Sequence, residues 1–175
     1  MVIPANQRHR GLRPTGIGGV LTVKVNANIG TSSDHADPAD ELQKLEAAVE
    51  AGADTVMDLS TGGDIDAIRR LILDRSSLPV GTVPIYQAAI EVAQRKGGIV
   101  MMTPDDIFEV IENHAKDGVD FITVHCGVTL SSLERLKAQG RITDIVSRGG
   151  AFLTTWMIYN ERENPLYEHF DRLLE

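Results

Sequence analysis

The chain has 175 residues, with 17 Lys and Arg against 25 Asp and Glu for a net charge of −8, and 42% of it is hydrophobic and 24% charged. That composition fits one globular domain; the acidic balance argues against general nucleic-acid binding, but not against an anionic small ligand held by a local nest of amides. One cysteine, Cys126, excludes intramolecular disulfides and, within one chain, all-cysteine zinc sites and three-cysteine iron–sulfur clusters.

From the N-terminus, Met1-Val2-Ile3-Pro4-Ala5-Asn6 lacks the apolar core of a secretory signal, and no apolar run approaches the roughly 18 residues that span a membrane. A cytoplasmic location with no membrane partner is expected. Arg8, His9, Arg10 and Arg13 read as a basic, solvated tail. Residues 21–29 alternate as a strand, with Val23, Val25, Ala27 and Ile29 on one face and Lys24, Asn26 and Asn28 on the other. Lys24 reads as a member of a structural ion pair, or as an amine able to form a Schiff base if buried in a barrel mouth. Residues 31–34 read as a loop, and Asp37 as the cap of a helix over 38–51 that Gly52 stops.

A second strand is expected at 54–59, followed by a Ser-Thr-Gly-Gly turn and a helix through Ile65, Ile68, Leu71 and Ile72. A third strand spans 78–85, with Pro79 and Pro84 near its ends, and a helix runs from Tyr86 to Lys96. An additional helix over 104–116 opens on Thr103 as N-cap and Pro104 at its first position. The fourth strand is 119–126, with Cys126 sharing an aliphatic face with Ile122 and Val124 as a buried inert thiol. A short helix at 131–138, a fifth strand candidate at 144–147, a run at 151–159 that reads as helix or strand with helix favoured, and a final helix at 165–174 complete the pattern.

Strand–helix alternation of this kind means α/β with a parallel sheet. No G-x-G-x-x-G turn follows the first strand, which removes the main signature of a dinucleotide fold. Strands polar on one face and aliphatic on the other suit a barrel, whose inner face lines a site. A whole (β/α)8 barrel takes about 250 residues, so the pattern predicts the front part of such a barrel, about five βα units in a single partial domain.

Polar or unusual side chains recur where strands end: Asn28, Met57, Tyr86 and His125, separated by steps of 29, 29 and 39 residues. The longer step accommodates the additional helix, and the ends of barrel strands converge on one ligand. Each residue also has a plain structural reading: Asn28 as a turn former, Met57 as core, Tyr86 as a cap on the sheet edge, His125 as a hydrogen-bonded strand end. Ser147-Arg148-Gly149-Gly150 combines glycine amides, a hydroxyl and a guanidinium, the makings of an anion site; alternatively it is an ordinary strand-to-helix turn.

Long motifs sharpen this reading. Val25-Asn26-Ala27-Asn28-Ile29-Gly30, residues 52–63 (GADTVMDLSTGG), residues 81–88 (GTVPIYQA), Gly118-Val119-Asp120-Phe121 with Thr123, His125 and Gly127, and Ile145-Val146-Ser147-Arg148-Gly149-Gly150 closely resemble the phosphomethylpyrimidine synthase family of thiamine biosynthesis. The resemblance begins at Ile3-Pro4-Ala5-Asn6 and reaches Asn164-Pro165-Leu166-Tyr167 with His169-Phe170, with a departure at residues 7–13. It implies a (β/α)8 barrel and radical S-adenosylmethionine chemistry that rearranges aminoimidazole ribotide to hydroxymethylpyrimidine phosphate, a carbon–carbon lyase reaction. It also implies a ribotide-contacting set of Asn28, Met57, Tyr86, His125, Ser147, Arg148 and Gly149, none of them a catalytic or metal-binding residue.

The family's N-terminal domain, its Asp-Gly-Leu-Arg ligand segment, its two zinc histidines and its three-cysteine motif have no counterpart in these 175 residues. The expectation is therefore a chain that holds no 4Fe-4S cluster, S-adenosylmethionine or zinc alone and is inactive in isolation. Its partners would be the ribotide or a similar phosphorylated small molecule, with a second copy or a complementing barrel half. A non-catalytic phosphate-binding half barrel and an interaction fragment are the competing readings.

Overall fold

The computed structural model describes residues 1–175. Four parallel strands form one sheet in the order β1 (Asn26–Ile29), β2 (Thr55–Asp58), β3 (Val80–Thr82) and β4 (Phe121–Ile122). Helix α1 (Pro38–Glu50) joins β1 to β2, α2 (Ile65–Arg75) joins β2 to β3, and α3 (Pro84–Lys96) and α4 (Pro104–Asp117) lie between β3 and β4. Helices α5 (Leu130–Gln139), α6 (Arg148–Asn160) and α7 (Pro165–Glu168) follow, with 3-10 turns at Ile99–Met101 and Phe170–Leu173. No helix is long and apolar enough to cross a membrane.

The residues divide into two compact units. The first comprises Met1–Gln87 and Val110–Thr123, the second Ala88–Glu109 and Val124–Glu175.

The first unit holds the whole sheet. Register aligns Ala27, Val56 and Val80 in one row and Asn28, Met57, Gly81 and Phe121 in the next. Successive side chains of a strand leave on opposite faces, so the first row packs with Leu45, Ile68 and Ile72 in the core while the second faces the other way. Gly81 is needed in that second row, because a Cβ there would overlap the Phe121 ring. Asp37 caps α1 by accepting from the Ala39 N–H at 2.8 Å, as expected, and Asp64 does the same for α2 from Ala67 at 2.9 Å.

The second unit is built around buried Leu153, Trp156 and Met157 of α6 with Met102, Ile107, Leu133 and Leu166. The Trp156 indole N–H donates to the Met102 carbonyl at 2.6 Å, and Asn160 Nδ2 donates to that of Val100 at 3.0 Å, fixing α6 to the 3-10 turn. Thr103 and Asp106 cap α4 reciprocally: Thr103 Oγ1 accepts from the Asp106 N–H at 3.2 Å and Asp106 Oδ2 from the Thr103 N–H at 2.7 Å. Arg95 and Lys96 also pair with Asp106. Burial works to raise its carboxyl pKa, but the Lys96 and Thr103 donors hold it well below the usual range.

Several expectations are corrected. Residues 144–147 form no strand, because Asp144 sits at φ 47°, outside extended geometry, and Val146 is 73% exposed with no neighbouring strand. The sheet therefore has four strands. Ser147 instead caps α6, so Arg148-Gly149-Gly150 is the first turn of a helix and not a loop before one. Residues 21–25 lie outside β1: Val23 is 93% exposed, and Val25 only accepts the Asp54 and Thr55 amides at the start of β2. Lys24 lies neither in an ion pair nor in a buried mouth; its Nζ donates to Thr22 Oγ1 at 2.8 Å near the surface.

Pro84 opens α3 and does not close β3, its fixed φ suiting a first helical turn. The fourth strand stops at Ile122, so Cys126 shares no strand face; it is half-buried, and burial pushes its thiol pKa up. The final helix breaks after Glu168, since only Pro165 and Leu166 are buried there and no continuous apolar face supports it. The N-terminal basic stretch is not a solvated tail throughout: His9 is 7% exposed and bonded to Asp120.

Candidate functional site

In the first unit, register places Asn28 beside Met57 and Met57 beside Gly81. Asn28 is exposed, and its Oδ1 accepts from Asn26 Nδ2 at 2.8 Å. Met57 is half-buried, with its Sδ 4.0 Å from Thr123 Oγ1. Tyr86 is the third residue of α3, half-buried, its amide bonded to the Val83 carbonyl at 3.0 Å. Asn28 and Met57 therefore stand side by side as the spacing suggests, and Tyr86 follows β3.

His125, Ser147, Arg148 and Gly149 belong to the second unit. His125 Nε2 lies 2.8 Å from Ser147 Oγ, which also accepts the Gly150 N–H at 3.3 Å as the cap of α6. His125 Nδ1 is buried without a partner, and burial lowers the pKa of the ring. A neutral ring that leaves no buried N–H unsatisfied carries its proton on Nε2, donated to Ser147, with a bare lone pair on Nδ1.

Gly149 is buried against that ring, and any Cβ at 149 would overlap the imidazole. The turn holding His125 is fastened from below: Asn164 Nδ2 donates to the His125 carbonyl at 2.8 Å and to that of Val128 at 2.9 Å. Arg148 is exposed at the head of α6, whose N-terminal amides carry partial positive charge. A cavity of about 420 Å³ opens beside them, lined by His125, Ser147 and Gly150 with Val128, Leu136 and Arg141. Ser147, Gly150 and Arg141 line it, whereas Arg148 and Gly149 do not, so a hydroxyl, a helix N-terminus and a guanidinium can receive an anion there, with apolar walls for an organic body.

The sequence reading missed a buried polar cluster in the first unit, on the helix-facing side of the sheet. Arg69 of α2 is 1% exposed. Its Nη1 donates to Gln87 Oε1 at 2.6 Å, its Nε to Asp117 Oδ2 at 3.0 Å and its Nη2 to Asp66 Oδ1 at 2.5 Å. His114 Nδ1 meets Thr82 Oγ1 at 2.8 Å, and its Nε2 meets Gln87 Oε1 at 2.9 Å. Burial, with the adjacent guanidinium, pushes the His114 pKa down to about 3.

Asp58 lies in the same cluster. Burial raises its pKa, although Ser60 donates to it from both its hydroxyl and its amide, at 2.5 and 2.9 Å. For Asp66 burial acts in the same direction, but the Gln87 and Arg69 hydrogen bonds prevail and its pKa is lowered. A cavity of about 10 Å³ between Asp58, Arg69, Thr82, Tyr86 and His114 is large enough for one water at most. A signal for this cluster was present: Arg69 and His114 both fall on the apolar stripes of their helices, where an unpaired charge or ring is not tolerated. No group of three or more His, Cys, Asp or Glu residues is placed to hold a metal ion.

Comparison with known proteins gives these geometries a context. Phosphomethylpyrimidine synthase of Moorella thermoacetica is 62% identical over 175 residues, 100% of this chain and 40% of the relative. The enzyme of the same name from Desulforudis audaxviator is 63% identical with the same coverage. The 5-hydroxybenzimidazole synthase BzaB of Moorella thermoacetica is 59% identical over 100% of this chain and 41% of its own length. The chain thus spans about 40% of the length of the relatives it matches. The radical SAM ThiC family matches residues 1–175 without interruption, and this chain belongs to that family.

Proposed function

We propose that this chain is the ribotide-binding part of a phosphomethylpyrimidine synthase of thiamine biosynthesis, with the head of α6 receiving the ribotide phosphate. The observation that carries the reading is the His125–Ser147 pair at 2.8 Å on the N-terminus of α6, inside a family match that covers the chain. In this reading Ser147, Arg148 and Gly149 serve the phosphate, His125 serves the sugar or base, and Asn28, Met57 and Tyr86 complete the ribotide-contacting set. The sheet is the front of a (β/α)8 barrel: sequential parallel order, with a helix after each of the first three strands, supports this.

The family name implies S-adenosylmethionine and an iron–sulfur cluster. The residues of this chain do not fit a cluster, since Cys126 is its one thiol and cluster irons take several. What its own residues do is bind and orient. Charge-assisted hydrogen bonds of the Arg148 type contribute about 1.5–3 kcal/mol each, and with the ligand open to water an affinity of about millimolar follows.

Calorimetric titration with aminoimidazole ribotide and with its dephosphorylated nucleoside tests the assignment. Arg148→Ala should weaken the ribotide far more than the nucleoside, whereas His125→Asn should weaken both alike. Equal losses for the two ligands in the Arg148 variant would sink the phosphate assignment. The 59% identity to a 5-hydroxybenzimidazole synthase supports a second reading, in which the same phosphate site serves a benzimidazole product. Product analysis of the full-length protein that contains these residues separates the two: a hydroxymethylpyrimidine phosphate supports the first, a hydroxybenzimidazole the second.

A further inference from the structure

The N-terminal segment is sutured to the first unit at several points. Asn6 Nδ2 donates to the Ala115 and Val119 carbonyls at 2.9 and 3.1 Å, Arg8 Nη1 to that of Lys116 at 2.7 Å, and the Arg13 N–H to that of Ser77 at 2.8 Å. At the centre stands His9. Its Nδ1 is 2.6 Å from Asp120 Oδ2, its Nε2 is 3.0 Å from the Ser76 carbonyl oxygen, and the His9 and Asp120 side chains are fully buried. Both ring nitrogens therefore face acceptors. A neutral imidazole has one N–H and can satisfy only one of them; both are satisfied only by the imidazolium.

Asp120 is a hub. Its Oδ2 also accepts the Val80 N–H at 2.8 Å and its Oδ1 the Asn6 N–H at 2.8 Å, while its own N–H donates to the Val80 carbonyl at 2.9 Å. One carboxylate thus ties the N-terminal segment to the starts of β3 and β4. We propose that protonated His9 is a proton-operated clasp, holding the N-terminal segment on the starts of β3 and β4 and releasing it when the ring loses its second proton. The clasp stands apart from the ribotide assignment and does not depend on it.

The groups facing His9 are few. Asp120 presents the ionised group, and α2 with the turn after it presents the carbonyls of Leu73 and Ser76. At the end of α4, Lys116 turns its carbonyl to Arg8, and the Asp117 carboxylate is taken by Arg69. The Asp120 hydrogen bond raises the His9 pKa, outweighing the opposing effect of burial, with the Ser76 carbonyl and the Asp120 charge adding to it. The stabilisation is thus complete below the ordinary histidine value of 6.5 and is lost as pH rises through the higher folded value.

Nitrogen-15 NMR of the imidazoles, assigned with His9→Gln, combined with amide exchange from pH 6 to pH 9, tests the clasp. At pH 7 we expect both His9 nitrogens protonated. As the ring titrates, the protection of the Asn6 and Val80 amides, corrected for intrinsic exchange, should fall about tenfold per pH unit above the folded value. Protection in Asp120→Asn should be low and nearly independent of pH. A His9 ring that carries one proton at pH 7, or Asn6 protection that does not follow its titration, overturns the proposal. Both readings come from the unaltered chain, so a variant that fails to fold does not protect the idea.

Discussion

Gly149 and His125 occupy each other's space so closely that the glycine's missing Cβ is where the imidazole lies. Gly149→Ala must displace the ring from Ser147 or shift the first turn of α6. Overpacking of this kind costs about 1–3 kcal/mol, and the ring should lose its Ser147 bond. A lower urea midpoint together with a changed His125 Cε1 proton shift is the expected result. An unchanged shift would mean that the glycine is not there to admit the ring.

Arg69 should be among the most costly residues of the first unit to remove. Truncating it to Ala takes from Asp117 its Nε and Nη2 donors, and leaves Asp66 with its bond from Gln87 Nε2 and Gln87 Oε1 with its bond to His114 Nε2. With a large buried side chain removed as well, the loss should be about 2–5 kcal/mol. Arg69→Met, which keeps much of the volume, should recover the packing share of that loss but not the share owed to the hydrogen bonds to Asp117, Asp66 and Gln87. Equilibrium urea unfolding of both variants measures this; near-equal stability of Arg69→Met and the parent chain would contradict it.

His114 sets an acid limit opposite in sign to that of His9. Its pKa is pushed from 6.5 down to about 3 in the folded chain, so below 6.5 the unfolded chain binds the proton that the folded one refuses. Its contribution is complete above pH 6.5 and is lost as pH falls toward 3. Unfolding free energy measured from pH 7 to pH 4 should drop by a few kcal/mol, and His114→Gln should flatten the slope. NMR showing His114 titrating near 6 would remove the basis for this expectation.

Trp156 is the chain's single tryptophan, and it is buried. Trp156→Phe strands the Met102 carbonyl, at a cost of about 1–3 kcal/mol, on top of a smaller core. Native emission should be blue-shifted and resist acrylamide quenching; an emission maximum typical of water would place the ring elsewhere.

The unpaired edges of β1 and β4 favour association through strand pairing. Sedimentation should find dimers or larger species at high concentration, and a well-dispersed monomer would count against the barrel reading.

Helix boundaries were legible where caps are local. Asp37 and Thr103 marked α1 and α4 because a short side chain bonded to an N–H two or three residues on is visible in sequence. The start of α6 was not, since two glycines, each costing about 1 kcal/mol in a helix, argue for a turn and conceal the Ser147 cap. Alternation overstates strand length because it persists through exposed Val23, which pairs with no strand, while Val25 meets β2 only at its first amides. The strand-end series fits the pairing of Asn28 with Met57 but not His125, which opens a turn three residues past the end of β4, and its contact with Gly149 depends on a ring position that residue spacing does not encode. His9 was invisible as a buried residue because its partner lies 111 positions away.

That separation bears on the order in which the molecule is assembled. Each strand pairs with one already behind it in the chain, so the sheet can grow strand by strand as a ribosome releases it. Asn6, Arg8 and His9 are made before β1, yet their acceptors at 115–120 emerge only after β3. This segment must therefore wait until β4 begins, and its docking closes a loop of 111 positions between His9 and Asp120. Closing such a loop adds entropy cost only logarithmically with its length, so the delay lies in synthesis time and not in stability. On a stalled ribosome, protection of the N-terminal segment from protease should begin only once Asp120 has cleared the exit tunnel.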